Sequence, residues 1–515
     1  MANGKEQALD IHGKSYSRFA MVLLLLIATF AGMLNQTSLG TALPTLMKDF
    51  DITLSTAQQA TTWFLLANGI MVPVSAFLTT RFSTKWLYLT AYIVLFAGMT
   101  VDAVTPADKD MWVMFLAGRI LQAAAVGIMM PLMQVVMVNI FPAEERGAAM
   151  GLGGLVIGLA PAIGPTLSGW ILDKDHVILG LTLSDSWRSI FILPMIVLGI
   201  TIILTPFFMK DVIENKPMKL DVLSLMLSLA GFGIFLWGFT NVSNDGWGAM
   251  NTVILPIVIG VIIIGLFFWR QLRMDQPFMD VRVFANKQFA LTTAGTALAM
   301  MAMMGVEMML PIYMQNVHGQ TALQSGLALL PGALMMGIMS PIAGAAYDKV
   351  GAKRLARVGF TILAIGTLPF VFLSIDTPMH IITLLYALRM FGIAMVMMPL
   401  TASAMSALPR EEAAHGTASN NTIRQVASAV VVALLTSVTQ NIINTNTPSH
   451  ALQVNDPIRY ADHMLQASLD GFHASFFLGL VFAIIGIVVA NFLHDGKVIV
   501  GQTNSVDVHV EKEVK

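Results

Sequence analysis

Long apolar runs separated by short polar stretches fill the chain from end to end. Most are about 18 residues or longer, enough for a helix to cross a hydrocarbon core of about 30 Å. They lie near residues 19–43, 57–79, 86–104, 111–140, 147–171 and 189–208, then 222–240 and 252–269, then 289–314, 325–346, 355–374, 380–407, 418–439 and 472–493. The pattern predicts fourteen transmembrane helices grouped six, two, six. The first run follows Lys5, Lys14 and Arg18 and exceeds the apolar core of a signal peptide, roughly 7 to 15 residues, so it reads as a retained helix. The stretch 440–471 is expected to be the longest outer loop, too short to fold alone.

Composition agrees with lipid as the solvent. The 515 residues are 56% hydrophobic and 11% charged, with a mean hydropathy of +0.74, where a globular domain carries roughly 25% charged residues. A net charge of −1 argues against a nucleic-acid partner. The absence of cysteine excludes disulfides, thiolate metal sites and cysteine nucleophiles. Lysine and arginine, sorted by alternate loops, favour the side of the termini by roughly four to one, which predicts both termini in the cytoplasm. Arg119, Arg389 and Arg424 remain inside spans.

A shift of about 268 residues brings Pro73 onto Pro341 and Pro131 onto Pro399, with Arg119 two residues short of Arg389. Two parallel six-helix halves with an inserted pair follow. The expected division is a cytoplasmic tail 1–18, a first half 19–209, the inserted pair with its linkers 210–288, a second half 289–494 and a cytoplasmic tail 495–515.

Several motifs sharpen this. Residues 344–354 read GAAYDKVGAKR, with Asp348, Lys349 and Gly351 in a short turn between spans. The first-half copy has Arg81, but Thr80 and Ser83 replace the acid and the glycine. Residues 116–127 read LAGRILQAAAVG and embed Arg119 and Gln122 in the fourth span. The fifth span is rich in glycine and ends in the paired prolines Pro161 and Pro165 around Gly164. These stretches, with Trp187 and Arg188 before the sixth span and Ile423 to Gln425 in the thirteenth, resemble the major facilitator superfamily. Within it they resemble the fourteen-helix drug:proton antiporters typified by EmrB and QacA, close to the lincomycin-resistance type. The resemblance implies an all-α major facilitator fold, a role for Arg119 in proton coupling, and a gating loop and antiporter motif formed by Asp348, Lys349, Gly351, Arg81, Gly164 and Pro165.

A proton antiporter needs a carboxylate that exchanges its proton between the two sides. Relatives commonly carry an aspartate in the first span, where this chain has Asn35 followed by Gln36. Glu307 in the ninth span is the acid best placed for the task, because Asp102 and Asp221 fall at helix ends. It lies roughly 28 Å up its helix at about 1.5 Å per residue, in the outer part of the membrane. Lining an outward vestibule, or pairing with an arginine, is its second reading. Methionine makes up 37 residues, and flexible thioethers suit a cavity that takes many apolar shapes, although methionine also serves as plain filler. The expected substrate path comprises Asn35, Gln36, Gln122, Met303, Met304, Met308, Arg389 and Arg424, with Glu307 and Arg119 coupling protons.

The function expected is secondary active efflux of lipophilic or cationic drugs in exchange for protons, across the plasma membrane and without cofactor or metal. Export of an endogenous metabolite, or lipid flipping, is the alternative on the same fold. Expected partners are the small substrate, protons and membrane lipids, with any adaptor protein unknown. No nucleotide-binding or metalloprotease motif is present in the sequence, so an enzyme is not expected.

Overall fold

The computed structural model describes residues 8–141, 160, 163–178, 181–213, 221–274, 277, 280–408 and 413–494. Much of the glycine-rich fifth span, the linkers 142–146, 214–220 and 409–412, and the tail 495–515 lie outside the described residues.

Helices begin where short polar side chains can take up the free amides of a first turn. Ser17 accepts from Ala20 at the start of α1 (Arg18–Asp49), and Thr53 accepts from Thr56 at α2 (Leu54–Arg81). Ser83 does the same for Trp86 at α3 (Thr84–Val104), which α4 (Trp112–Ile140) follows. The described end of the fifth helix, α5, covers 163–173. A small antiparallel hairpin, His176–Ile178 with Leu181–Leu183, leads to α6 (Ser189–Phe208). Next come α7 (Val222–Asp245) and α8 (Leu255–Arg273), the latter entered through a π turn at Met250–Ile254. The second half comprises α9 (Lys287–Asn316), α10 (Ala322–Val350), α11 (Ala352–Thr367), α12 (Met379–Ser406), α13 (Ala413–Asn446), a short α14 (His450–Asn455) and α15 (Pro457–Phe492). Thr321 and Gln324 close a reciprocal capping box at α10. Gly351 ends that helix at φ +86°, a conformation only glycine adopts cheaply.

Twelve of these helices, among the described residues, are long and apolar enough to cross a membrane. With α2 and α5 the crossings number fourteen. At 28 residues α2 is long enough, but it carries Gln58, Thr61, Thr62, Asn68, Ser75 and Thr79 on buried faces. Its polarity belongs to the protein interior, where it packs between α4 and α13. An even number of crossings puts both termini on one face, the terminal face; the other is the far face.

One detail corrects the sequence reading. The stretch 440–471 is mostly helical: α13 runs to Asn446 and α15 starts at Pro457, about ten turns long in all. Hydropathy reports only the part of a helix that sits in oil, so the polar extension of α15 through Asp462, His463 and Asp470 read as loop. Trp187 is fully buried among Phe50, Phe115 and Phe191, which joins the far ends of α1, α4 and α6.

On the terminal face polar side chains tie each half. Asp211, just past α6, accepts from the Ser83 hydroxyl at 2.7 Å and the Lys85 amide at 3.0 Å. This supplies to the α2–α3 loop a carboxylate that its own sequence lacks at Thr80. Gln288 in α9 donates to Ser403 at 2.9 Å and to the His494 carbonyl at 3.3 Å. The inserted helices α7 and α8 pack closely, since a Cβ on Gly260 would meet the Phe235 amide nitrogen at 2.6 Å. Arg270 grips Asp221 through two bonds of 2.9 Å, and these bonds hold the Asp221 carboxyl below the usual carboxylate range. The Ser55 and Ser437 hydroxyls donate to α7 carbonyls at Thr240 and Phe239, so the inserted pair leans on α2 of one half and α13 of the other.

Candidate functional site

Each half buries one arginine at the crossing of two helices, and a glycine makes each crossing possible. In the first half α3 meets α4, where a Cβ on Gly98 would lie 2.8 Å from the Gln122 side chain. In the second half α11 meets α12, and a Cβ on Gly366 would lie 2.9 Å from the Arg389 side chain. Close helix approach of this kind is what small residues supply inside membranes.

The first-half centre is a connected polar network. Arg119 donates to Gln122 Oε1 at 2.9 Å, Asn35 Nδ2 donates to the same oxygen at 2.5 Å, and Gln122 Nε2 donates to Asp102 Oδ2 at 2.7 Å. All four side chains are buried, Asp102, Arg119 and Gln122 at 0% exposure. The Arg119 guanidinium also lies 4.3 Å from the Phe64 ring centre, a favourable arrangement for a desolvated cation. Sequence reasoning set Asp102 aside as a helix-end residue. It is two positions from the end of α3, yet α4 covers it completely. Gly98 and Asp102, four residues apart on one helical face, were the available signal.

The second-half centre holds Arg389 by two bonds of 2.8 Å, from Nε to Thr367 Oγ1 and from NH2 to the Ala302 carbonyl. Glu307, on α9, is buried at 5% exposure, with Oε2 lacking a hydrogen-bond partner among the described residues. It feels the positive charge of Arg389, although the described ion pairs do not include the two. Tyr386 is buried beside them. Removing Arg389 leaves the Thr367 hydroxyl and the Ala302 carbonyl without their donor, and a buried polar group that loses its partner costs about 1–3 kcal/mol. Arg389→Ala is expected to lower the unfolding temperature of the purified protein markedly in a thermal melt. Arg389→Lys is expected to recover only part, because one ammonium cannot reproduce the planar fork to Thr367 and Ala302.

The remaining sequence candidates divide. Gln36 is half-buried with its Oε1 unpartnered, and Arg424 on α13 reaches Asn421 at 3.4 Å with its Nε unpartnered, both among the described residues. Met303, Met304 and Met308 are buried on α9, and Met308 reaches to 3.9 Å from where a Cβ on Gly40 of α1 would sit. A cavity of about 240 Å³ is lined by Met301 instead, with Phe232, Phe267, Thr422 and Ile423. Gly164 and Pro165 pack on α1, where Thr41 donates to the Pro165 carbonyl at 3.3 Å. Arg81, Lys349 and Gly351 lie on the terminal face, the first two exposed; the Asp348 side chain lies outside the described residues.

The halves meet tightly at the far face. Thr166 on α5 donates to the Gly326 carbonyl on α10 at 3.1 Å, and Gln315 on α9 donates to the Thr41 carbonyl on α1 at 3.0 Å. Further along α10, Gly337 and Gly344 face open space. The halves also pack along α2 and α13, where a Cβ on Gly69 would lie 2.8 Å from the Gln425 side chain, and each half holds a buried charge centre.

Two six-helix halves of this kind define a secondary membrane transporter, and not an enzyme. The model of the Major Facilitator Superfamily matches residues 25–432, and the chain belongs to that family. It is 43% identical to the Uncharacterized MFS-type transporter YcnB of Bacillus subtilis (strain 168), over 93% of this chain and 96% of that one. It is 37% identical to the Lincomycin resistance protein LmrB of the same organism, over 94% and 98%. Among solved structures the D-xylose-proton symporter superposes with a TM-score of 0.62 at 13% identity, covering 93% of this chain and 98% of its own.

Proposed function

We propose that this transporter exports lipophilic, often cationic compounds in exchange for protons, across the plasma membrane and with both termini in the cytoplasm. The observation that carries the reading is Glu307: a carboxylate buried in α9, one oxygen unpartnered among the described residues, with Arg389 as a nearby counter-charge. An intramembrane acid of that kind is costly unless it has a task, and its natural task is to hold a proton or a cation in turn. The name of the LmrB relative, lincomycin resistance, supports a drug-like substrate. In this reading the far face is the outside. Asn35, Gln36, Gln122, Met303, Met304, Met308, Arg389 and Arg424 lie along the substrate path in this reading. The loop of Asp348, Lys349 and Gly351, with Arg81 in the other half, serves the cytoplasmic gate, and Gly164 and Pro165 serve the outer one.

Proteoliposomes with an imposed pH gradient test this. Ethidium and lincomycin are expected to move against their gradients, each accompanied by proton flux in the opposite direction. Absence of flux with either compound, together with stimulation by a lipid or a metabolite, would overturn the drug reading in favour of the alternative export reading.

A further inference from the structure

The first-half network contains a carboxylate for which the proposed coupling at Glu307 has no use. Asp102 is fully buried, its Oδ2 accepts from Gln122 at 2.7 Å, and its Oδ1 has no hydrogen-bond partner among the described residues. Oδ1 lies where a side chain on Gly118 would have to sit, so glycine at that position makes room for the acid. The charged surroundings are sparse. On α4 the only charged residue is Arg119; α6 carries no titratable residue, and α2 carries only Arg81 at its terminal-face end. From the loop before α6, Arg188 reaches the Thr105 carbonyl at 2.8 Å, three positions beyond Asp102.

Donor and acceptor rules fix the direction of every bond in this network. Arginine can only donate and an ionised carboxylate can only accept. With Asp102 ionised, Gln122 must turn its NH2 to Asp102 and its oxygen to Arg119. Asn35 must then donate to that same oxygen, which leaves Asn35 Oδ1 without a partner, as observed among the described residues. A proton on Asp102 Oδ2, the oxygen that faces Gln122, reverses the chain. Asp102 becomes a donor, Gln122 turns its oxygen toward it and its NH2 toward Asn35, and Asn35 Oδ1 accepts. Arg119 gives up its bond to Gln122 and keeps its place over the Phe64 ring. The uncommitted end of Asn35 changes from an acceptor to an NH2 donor.

We propose that Asp102 is a second proton-binding site, and that Gln122 relays its state to Asn35 on α1, which holds a cationic N–H donor when Asp102 is ionised and repels it when Asp102 is protonated. This rests on the export reading and deepens it. Asn35 cannot titrate, but it presents the polarity of an acid one relay away.

The test uses the full-length protein and ethidium, a lipophilic cation with amino donors, whose binding is read by fluorescence across pH. Each coupled proton contributes at most about a tenfold change in Kd per pH unit. Glu307→Gln is expected to keep binding that strengthens with pH by up to about tenfold per unit, and Glu307→Gln with Asp102→Asn to become flat. Asn35→Leu, which leaves the acid in place and cuts its readout, is expected to lose the same share of pH dependence as Asp102→Asn. Infrared difference spectra of the ligand-free protein supply an independent readout: the carbonyl band of protonated carboxylic acid is expected to lose one component in Asp102→Asn and to keep it in Asn35→Leu. A flat profile in Glu307→Gln alone, or an unchanged infrared band in Asp102→Asn, would overturn the inference. Failure of the parent to bind ethidium would instead count against the export reading, and the infrared band would still decide Asp102.

Discussion

Glu307→Gln is expected to abolish uphill export of ethidium in proteoliposomes while leaving ethidium binding measurable and the protein folded. The amide matches the carboxyl in size and cannot exchange a proton, so the substitution isolates titration from packing. Arg389 keeps its bonds to Thr367 and the Ala302 carbonyl, neither of which involves Glu307, so the second-half centre retains its scaffold. Coupling energies of about 1–3 kcal/mol correspond to roughly 5- to 150-fold, and loss of gradient-driven accumulation by at least about tenfold is the expected size. The sign of the pH effect follows from competition. A proton on Glu307 removes the negative charge that attracts a cation, so the parent is expected to bind ethidium less tightly as pH falls, and the variant to lose that part of the dependence. Full export by Glu307→Gln would reduce Glu307 to a vestibule residue and place coupling elsewhere.

The contrast with Arg389→Ala separates chemistry from stability. The arginine is fully buried and braces α9, α11 and α12 at one point, so its loss is expected to appear first in the melting temperature. Glu307 Oε2 has no hydrogen-bond partner among the described residues, so the loss of the acid is expected to appear in coupling alone.

The sequence made the helix order legible because a bilayer demands long apolar runs and because short N-caps mark the starts. It was less informative wherever a helix has a reason to be polar. The extension of α15 toward Pro457 leaves the oil and therefore the hydropathy signal, and α2 is polar because it is enclosed by α4 and α13. Arg119, Arg389 and Glu307 stood out because a charge within an apolar run has no bland explanation at that depth. Asp102 did not, because two residues from a helix end a carboxylate normally meets water. What buries it is the approach of α4 across Gly98 and Gly118, a tertiary fact. The link from Asn35 to Gln122 joins positions 87 residues apart, and only the fold brings them together.

The same dependence on glycine makes the far-face contact testable. A Cβ on Gly326 would lie 2.5 Å from the Pro165 carbonyl oxygen and 2.9 Å from its carbon, and a Cβ on Gly169 would lie 2.8 Å from backbone atoms of Ala322 and Leu323. These are main-chain atoms of the opposite half, so no side chain can swing aside, and the strain is relieved only by parting α5 from α10. Overpacking of this order costs about 1–3 kcal/mol, enough to shift a two-state equilibrium by roughly 5- to 150-fold toward the state open at the far face. The chain contains no cysteine, so a single Met308→Cys, near the α1–α9 crossing, can report access by its reaction with a membrane-impermeant maleimide. Gly326→Val in that background is expected to raise labelling from the far face by at least about tenfold over Met308→Cys alone. Gly344→Val is the matched control, because a Cβ there meets nothing within 4 Å. Equal labelling of all three would mean that the α5–α10 contact does not hold the far face shut. A selective rise in Gly326→Val would identify the backbone contact at Gly326 as the latch that keeps the two charge centres from outside water until the halves rock.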